Sequence, residues 1–209
     1  MTTPFFKRKS SHISELRERK KADLVIAIQD AAISLFAEQG YDATTVEQIA
    51  DRAQTSTSSF FRYFQGKADV VLEGQGTHLP ALRQRIINRP KSENDLIAVA
   101  HAIAEGAEGE FDPLRTNRIS KATAKSLVLR GIFKDASKNW IITISESLAE
   151  RAGPGRDPKD FLLPTRVMLG VLGEAVESWT GSGCQGTLKE AIEAEFDKMI
   201  ALCAAWSPR

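Results

Sequence analysis

The run Ser56-Thr57-Ser58-Ser59-Phe60-Phe61-Arg62-Tyr63-Phe64 sets hydroxyls and one guanidinium among phenylalanines. Wound into a helix, Thr57, Ser58, Ser59, Arg62 and Tyr63 take the outer side, and Phe60, Phe61 and Phe64 are expected to anchor it inward. A helix so divided suits the DNA major groove, about 12 Å wide. A guanidinium binds guanine O6 and N7 bidentately for roughly 1–3 kcal/mol of discrimination, whereas serine and threonine serve several bases. A plain surface helix with serines as caps explains Ser56 better than the whole set.

No other cluster of reactive residues competes. The histidines, His12, His78 and His101, are scattered, with no nucleophile elbow, metal-ligand spacing or phosphate loop around them. Gly74-Gln75-Gly76 lacks a third glycine and a preceding strand, so it is not a dinucleotide fingerprint. Cys184 and Cys203 fit neither a metal site nor a disulfide framework, and neither has a basic sequence neighbour to favour its thiolate. No catalytic residue, metal or cofactor is therefore expected, and an enzyme is the weaker reading.

The elements that must position the 56–64 segment are helical. Of 209 residues, 42% are hydrophobic and 26% charged, which is globular composition. No run approaches the roughly 20 apolar residues of a membrane span, and the basic start has no apolar h-region behind it, so an unexported cytoplasmic chain with no membrane partner is expected. Net charge is +1 but uneven. Residues 1–21 carry Lys7, Arg8, Lys9, Arg17, Arg19, Lys20 and Lys21 against Glu15 and Glu18, a basic arm suited to phosphates.

Leu24, Ile28, Ala31, Ala32, Leu35 and Phe36 recur at helical spacing, predicting a first helix over 22–39 stopped at Gly40. Thr45-Val46-Glu47-Gln48 reads as a capping box opening a second short helix to about Ala53, and Ser56 caps a third. Two short helices so tightly joined form a helix-turn-helix. A long helix is expected from Lys67 toward Asn88, weakened at Gly74 and Gly76, then helices over about 92–108, from Pro113, over 123–152, 160–180 and 187–206.

Phe36, Gly40-Tyr41, Thr44-Thr45, Ile49-Ala50, Ala53, Ser56 and Phe60-Phe61-Arg62-Tyr63-Phe64 followed by Lys67 resemble the TetR family of transcriptional regulators. The resemblance covers about Ala22 to Leu72 and implies an all-α fold: a basic arm over 1–21, a three-helix DNA-binding domain with its helix-turn-helix over 22–67, and a helical effector-binding and dimerisation domain over 68–209. It makes Thr57, Ser58, Ser59 and Arg62 base readers, Ser56 their cap, and Thr45, Tyr63 and Lys67 phosphate contacts. Lys20 and Lys21 of the arm are added as DNA contacts. Two departures stand out: Gln54 replaces the usual turn glycine, and Phe61 replaces a frequent phosphate-binding tyrosine.

The resemblance further implies a homodimer on operator DNA and a small-molecule effector that releases a repressor. Val167, Gly170 and Val171, with Ile192, Phe196 and Met199, are the expected dimer residues, on helices apolar enough to be buried on more than one side. His78, His101, Arg118, Arg130, Trp140 and Trp179 are the effector candidates, in a pocket suited to a lipophilic molecule with an anionic end. The Phe60–Phe64 block and Leu148-Ala149-Glu150-Arg151 are similar to members that sense acyl-coenzyme A thioesters. A bending fourth helix would pass the signal. An architectural DNA-binding protein without effector, and a thiol sensor built on Cys184 or Cys203, stand behind these readings.

Overall fold

The computed structural model describes residues 5–72, 76–110 and 112–205, and every regular element among them is helical. The chain divides into two compact units, Met1–Val71 and Leu72–Arg209.

In the first unit, α1 spans Phe5–Gln39, α2 Val46–Arg52, α3 Thr57–Tyr63 and α4 Lys67–Leu72. The first helix starts well before residue 22, so residues 5–21 extend it as helix and are not a separate irregular arm. Lys, Arg and Glu are good helix formers, and a charge-rich stretch continues a helix readily. The side chains of Lys7, Arg8 and Lys9 lie outside the described residues. Ile28, Ala32, Leu35 and Phe36 form the buried stripe of α1. Gly40 ends it at φ +92°, its amide donating to the Phe36 carbonyl at 3.1 Å. Phe36 then packs on Tyr41 with ring centroids 5.0 Å apart.

The second unit contains α5 (Leu79–Asn88), α6 (Asp95–Glu110), α7 (Pro113–Lys125), α8 (Leu127–Ala152), α9 (Leu162–Gly181) and α10 (Leu188–Ala205), with a 3-10 turn at Pro158–Phe161. The helix expected to run unbroken from Lys67 to Asn88 is two helices. Pro80 supplies the reason: it lacks an amide and clashes with a preceding turn, so it fits only the first turn of a new helix, where it stands in α5. Of the two glycines expected to weaken that helix, Gly76 stands in the turn before α5 and Gly74 lies outside the described residues. Ser126 likewise parts α7 from α8, ending one and capping the other.

The core of this unit gathers Leu82 and Ile86 of α5, Val99 and Ile103 of α6, Ile144 and Leu148 of α8, Met168 and Trp179 of α9, and Ile192 and Phe196 of α10. Among the described residues, one charge is enclosed with them. Arg151, 5% exposed at the end of α8, donates from Nη1 to Asp95 Oδ1 at 3.0 Å and from Nη2 to the carbonyls of Pro90 and Glu93 at 2.6 and 2.7 Å. A buried guanidinium without such partners would cost several kcal/mol in desolvation.

Candidate nucleic-acid interface

The helix expected to read DNA, α3, is positioned from α2 onward. Thr45 caps α2: its hydroxyl accepts the Gln48 amide at 3.3 Å and Gln48 Oε1 accepts the Thr45 amide at 3.0 Å. Gln39 at the end of α1 donates to the same Oε1 at 2.9 Å, so the box also ties α1 to α2. Arg52 adds a two-pronged ion pair with Glu38, at 3.1 and 3.0 Å. Ile49 and Ala50 are buried, and the alanine lets a neighbouring helix approach closely.

The turn into α3 is a Schellman motif. Thr55 N donates to the Ala50 carbonyl at 2.9 Å and Gln54 N to that of Asp51 at 3.0 Å, the paired bonds of that helix ending. Its left-handed position is held by Gln54 at φ +53°, where glycine is the usual occupant. Replacing the glycine therefore changes the energy of the turn while keeping a standard shape.

Ser56 caps α3, accepting the Ser59 amide at 3.1 Å, and its hydroxyl donates to Ser59 Oγ at 3.0 Å. Arg62 Nη2 donates to the same Ser59 oxygen at 3.2 Å, and its guanidinium lies 5.6 Å from the Tyr63 ring centre. Phe60 is 0% exposed and stacks on buried Phe64 at 5.5 Å. Phe61, expected inward, instead faces out and is 57% exposed. The reason is register: Phe60 and Phe64 occupy the inward stripe at i and i+4, and Phe61 lies about 100° further round. An edge-on contact at 5.4 Å ties its ring to Phe60. Ser58 and Arg62 are also exposed, whereas Thr57, Ser59 and Tyr63 are half-buried.

Lys67, expected on a phosphate, has its ammonium turned inward. Nζ donates to the carbonyls of Tyr41, Asp42 and Thr44 at 2.6, 3.4 and 2.7 Å and lies 4.4 Å from the Tyr41 ring centre. Those carbonyls line the connection between α1 and α2, where that of Tyr41 also accepts the Thr44 amide at 3.3 Å; an ammonium has three protons, all engaged here. Lys67 therefore braces the head. Thr45 is exposed, its hydroxyl also hydrogen-bonded to the Glu47 carboxylate, and Lys20 and Lys21 are exposed on α1, Lys21 4.0 Å from Glu18.

The effector candidates of the second unit occupy different surroundings. Trp179 is closed in the core with its indole donating to the Gly186 carbonyl at 3.2 Å, and half-buried Trp140 packs against that core. Arg118 of α7 and Arg130 of α8 are exposed, and His78 precedes α5, half-buried. His101 Nδ1 lies 3.1 Å from Arg89 Nη2 and 3.2 Å from Glu93 Oε1. The Arg89 hydrogen bond, with His101 adding to it, holds the Glu93 carboxyl down at about 2. Glu150 of the Leu148–Arg151 segment pairs with Arg83, so that segment fastens α8 to α5 and to the connection before α6. Its charges are structural, with partners too far along the chain for a local pattern to show.

Of the expected dimer residues, Ile192 and Phe196 are 0% and 3% exposed within one copy, so they have no surface left to offer a second. Val167 and Gly170 are exposed, Val171 and Met199 half-buried.

Residues 28–73 match the family model for bacterial regulatory proteins of the tetR family. The HTH-type transcriptional regulator TcmR of Streptomyces glaucescens is 37% identical over 87 residues, which is 42% of this chain and 38% of TcmR. MftR of Mycobacterium tuberculosis, named for mycofactocin biosynthesis, is 28% identical over 183 residues, 86% of this chain and 90% of MftR. Among solved structures, the transcriptional regulator FadR of Bacillus subtilis in complex with stearoyl-CoA superposes with a TM-score of 0.58 at 20% identity, over 82% of this chain and 95% of FadR. No described helix is long and apolar enough to cross a membrane.

Proposed function

We propose that this chain is a transcriptional regulator of the TetR family, working as a homodimeric repressor released from its operator by a small lipophilic effector; the family-model match over residues 28–73 and the similarity to TcmR and MftR support the family. The observation that carries the proposal is the outward face of α3, where Ser58, Phe61 and Arg62 stand clear of a helix capped by Ser56 and anchored by Phe60. Arg62 is the base reader, Ser58 its polar companion, and Thr45 with Lys20 and Lys21 supplies phosphate contacts, which position without specifying.

One such helix reads a half-site, so two copies are needed about 34–36 Å apart. Leu163, Val167 and Gly170 are exposed along one side of α9 at i, i+4 and i+7, an apolar strip suited to a second copy. An acyl-coenzyme A is the effector class we favour, and a fold shared with a FadR that holds stearoyl-CoA supports it. His101, His78, Arg118, Arg130, Trp140 and Trp179 remain the side chains to test for contact with it, the exposed arginines being suited to its phosphates.

The test is fluorescence anisotropy on DNA flanking the chain's own gene against a scrambled duplex, across a salt series, followed by titration with lauroyl- and stearoyl-CoA. Specific binding that falls steeply with salt and is reversed by the thioesters is the expected result. Equal, weak binding to both duplexes would favour an architectural role, and tight specific binding untouched by thioesters would remove the acyl-CoA reading alone.

A further inference from the structure

We propose that Phe61 reads thymine, by packing its ring on the C5-methyl group in the major groove. The inference rests on the DNA-binding reading above and adds to it a second specificity residue with a chemistry opposite to that of Arg62.

At about 100° per residue, Phe61, Ser58 and Arg62 fall within one arc of about 100°, and Phe60 points away from the middle of that arc by about 150°. Exposure agrees: these three are exposed on α3, while the other residues of the helix are half-buried or buried. Phe61 therefore belongs to the reading face and not to the anchor. It is the large apolar group on that face, and its ring has no atom that can hydrogen-bond. Any helix that brings Ser58 and Arg62 to base edges brings this ring along.

Such a ring gains by losing water only where it meets another apolar surface. The thymine methyl is the one sizeable apolar group among the hydrogen-bond donors and acceptors of the major groove; cytosine presents only a C5–H at the same place. Over guanine or cytosine the ring would cover polar edge atoms without satisfying them, so the preference has both an attractive and a repulsive part. The ring is also held in place. Its edge-on contact with Phe60 at 5.4 Å fixes it to a buried neighbour, so little side-chain freedom is lost on docking. The neighbouring Arg62, parked on Ser59 at 3.2 Å, lies beside it, and the pair is suited to a guanine and a thymine close together in each half-site.

The experiment uses the full chain and a duplex of about 30 base pairs, one turn of helix or more beyond two half-sites, enriched by that chain from a random-sequence library. Each thymine in turn is replaced by deoxyuridine, which removes the methyl and leaves the hydrogen-bonding edge intact. Binding is followed by anisotropy for the unaltered chain and for Phe61→Ala and Phe61→Leu, with circular dichroism to check that each variant is folded. One or two thymines per half-site should lose about fourfold in affinity, the equivalent of about 0.8 kcal/mol for one buried carbon. That sensitivity should vanish in Phe61→Ala and survive in part in Phe61→Leu. Insensitivity at every thymine, or the same sensitivity in Phe61→Ala, would overturn the inference, including the case in which Phe61→Ala weakens all duplexes alike. If the library yields no enriched sequence at all, the DNA-binding reading itself fails, and the two failures are told apart.

Discussion

Ser59 Oγ receives two donors at once, the Ser56 hydroxyl at 3.0 Å and the Arg62 guanidinium at 3.2 Å, so the cap of α3 and its exposed arginine share one oxygen. The guanidinium is thereby drawn along the helix surface before any DNA is met. Its planar fork keeps further donors free for a base edge.

Arg62→Ala should lower affinity for the selected duplex by about 10- to 100-fold, a loss of roughly 1–3 kcal/mol, while affinity for random DNA falls much less. Arg62→Lys should restore discrimination only in part, because an ammonium can reach O6 and N7 but lacks the planar fork that fixes a guanidinium on them. Anisotropy against matched and scrambled duplexes reads this directly, and equal losses on both would assign Arg62 to phosphates.

Lys67→Met should lower the thermal midpoint of the first unit and weaken all DNA equally, since three carbonyls of the α1–α2 connection lose the ammonium that joins them. The slope of log affinity against log salt should stay unchanged. A slope reduced by about one would show that the ammonium leaves those carbonyls to meet a phosphate.

Lys20→Ala with Lys21→Ala should leave sequence preference intact and reduce the salt slope by about two, one for each phosphate no longer neutralised. Both side chains are exposed on a helix that continues back to Phe5, so the substitution removes charge without opening a core. An unchanged slope would confine DNA binding to residues from Thr45 onward.

Gln54→Gly should stabilise the chain by about 0.5–1 kcal/mol, because the left-handed position of the Schellman turn imposes a steric cost on any side chain. Chemical denaturation would show it as a higher midpoint at unchanged slope. A loss of stability would mean that the Gln54 side chain contributes more than its backbone costs.

Glu93 gives a pH dependence whose sign is fixed. Its folded carboxyl titrates at about 2, well below the ordinary 4.5, mainly through the Arg89 hydrogen bond. A group depressed in the folded state lends stability above its unfolded pKa and loses it as pH falls toward the folded value. Acid should therefore weaken the second unit between about pH 4.5 and 2, and Glu93→Gln should flatten that part of the curve. Parallel acid titrations of both proteins by circular dichroism decide it.

Much of the fold is legible in the residues. Thr45 and Gln48, Ser56 and Ser59, and Gly40 announce their helix ends because caps are local chemistry, decided within a few positions. Phe61 departs from its expected inward place because three phenylalanines look alike in sequence, and only the register of a seven-residue helix separates the two that anchor from the one that does not. Lys67 departs from its expected phosphate because its partners lie 23 to 26 residues back, beyond local pattern. Pro80 is visible as a helix start, but the apolar periodicity around it argues the other way. Ile192 and Phe196 show a different ambiguity: an apolar stripe says that a helix is covered, not whether its own chain or another does the covering.

The buried guanidinium of Arg151 also bears on how the second unit comes into being. Its partners, Asp95, Glu93 and Pro90, lie 56, 58 and 61 residues away along the chain, so the ends of a long loop must close before the charge has anywhere to go. A cation cannot wait in an apolar interior, which makes its docking a closing event of folding and not a nucleating one. An interaction formed so late would slow escape from the native state and do little for the speed of reaching it, as a latch does.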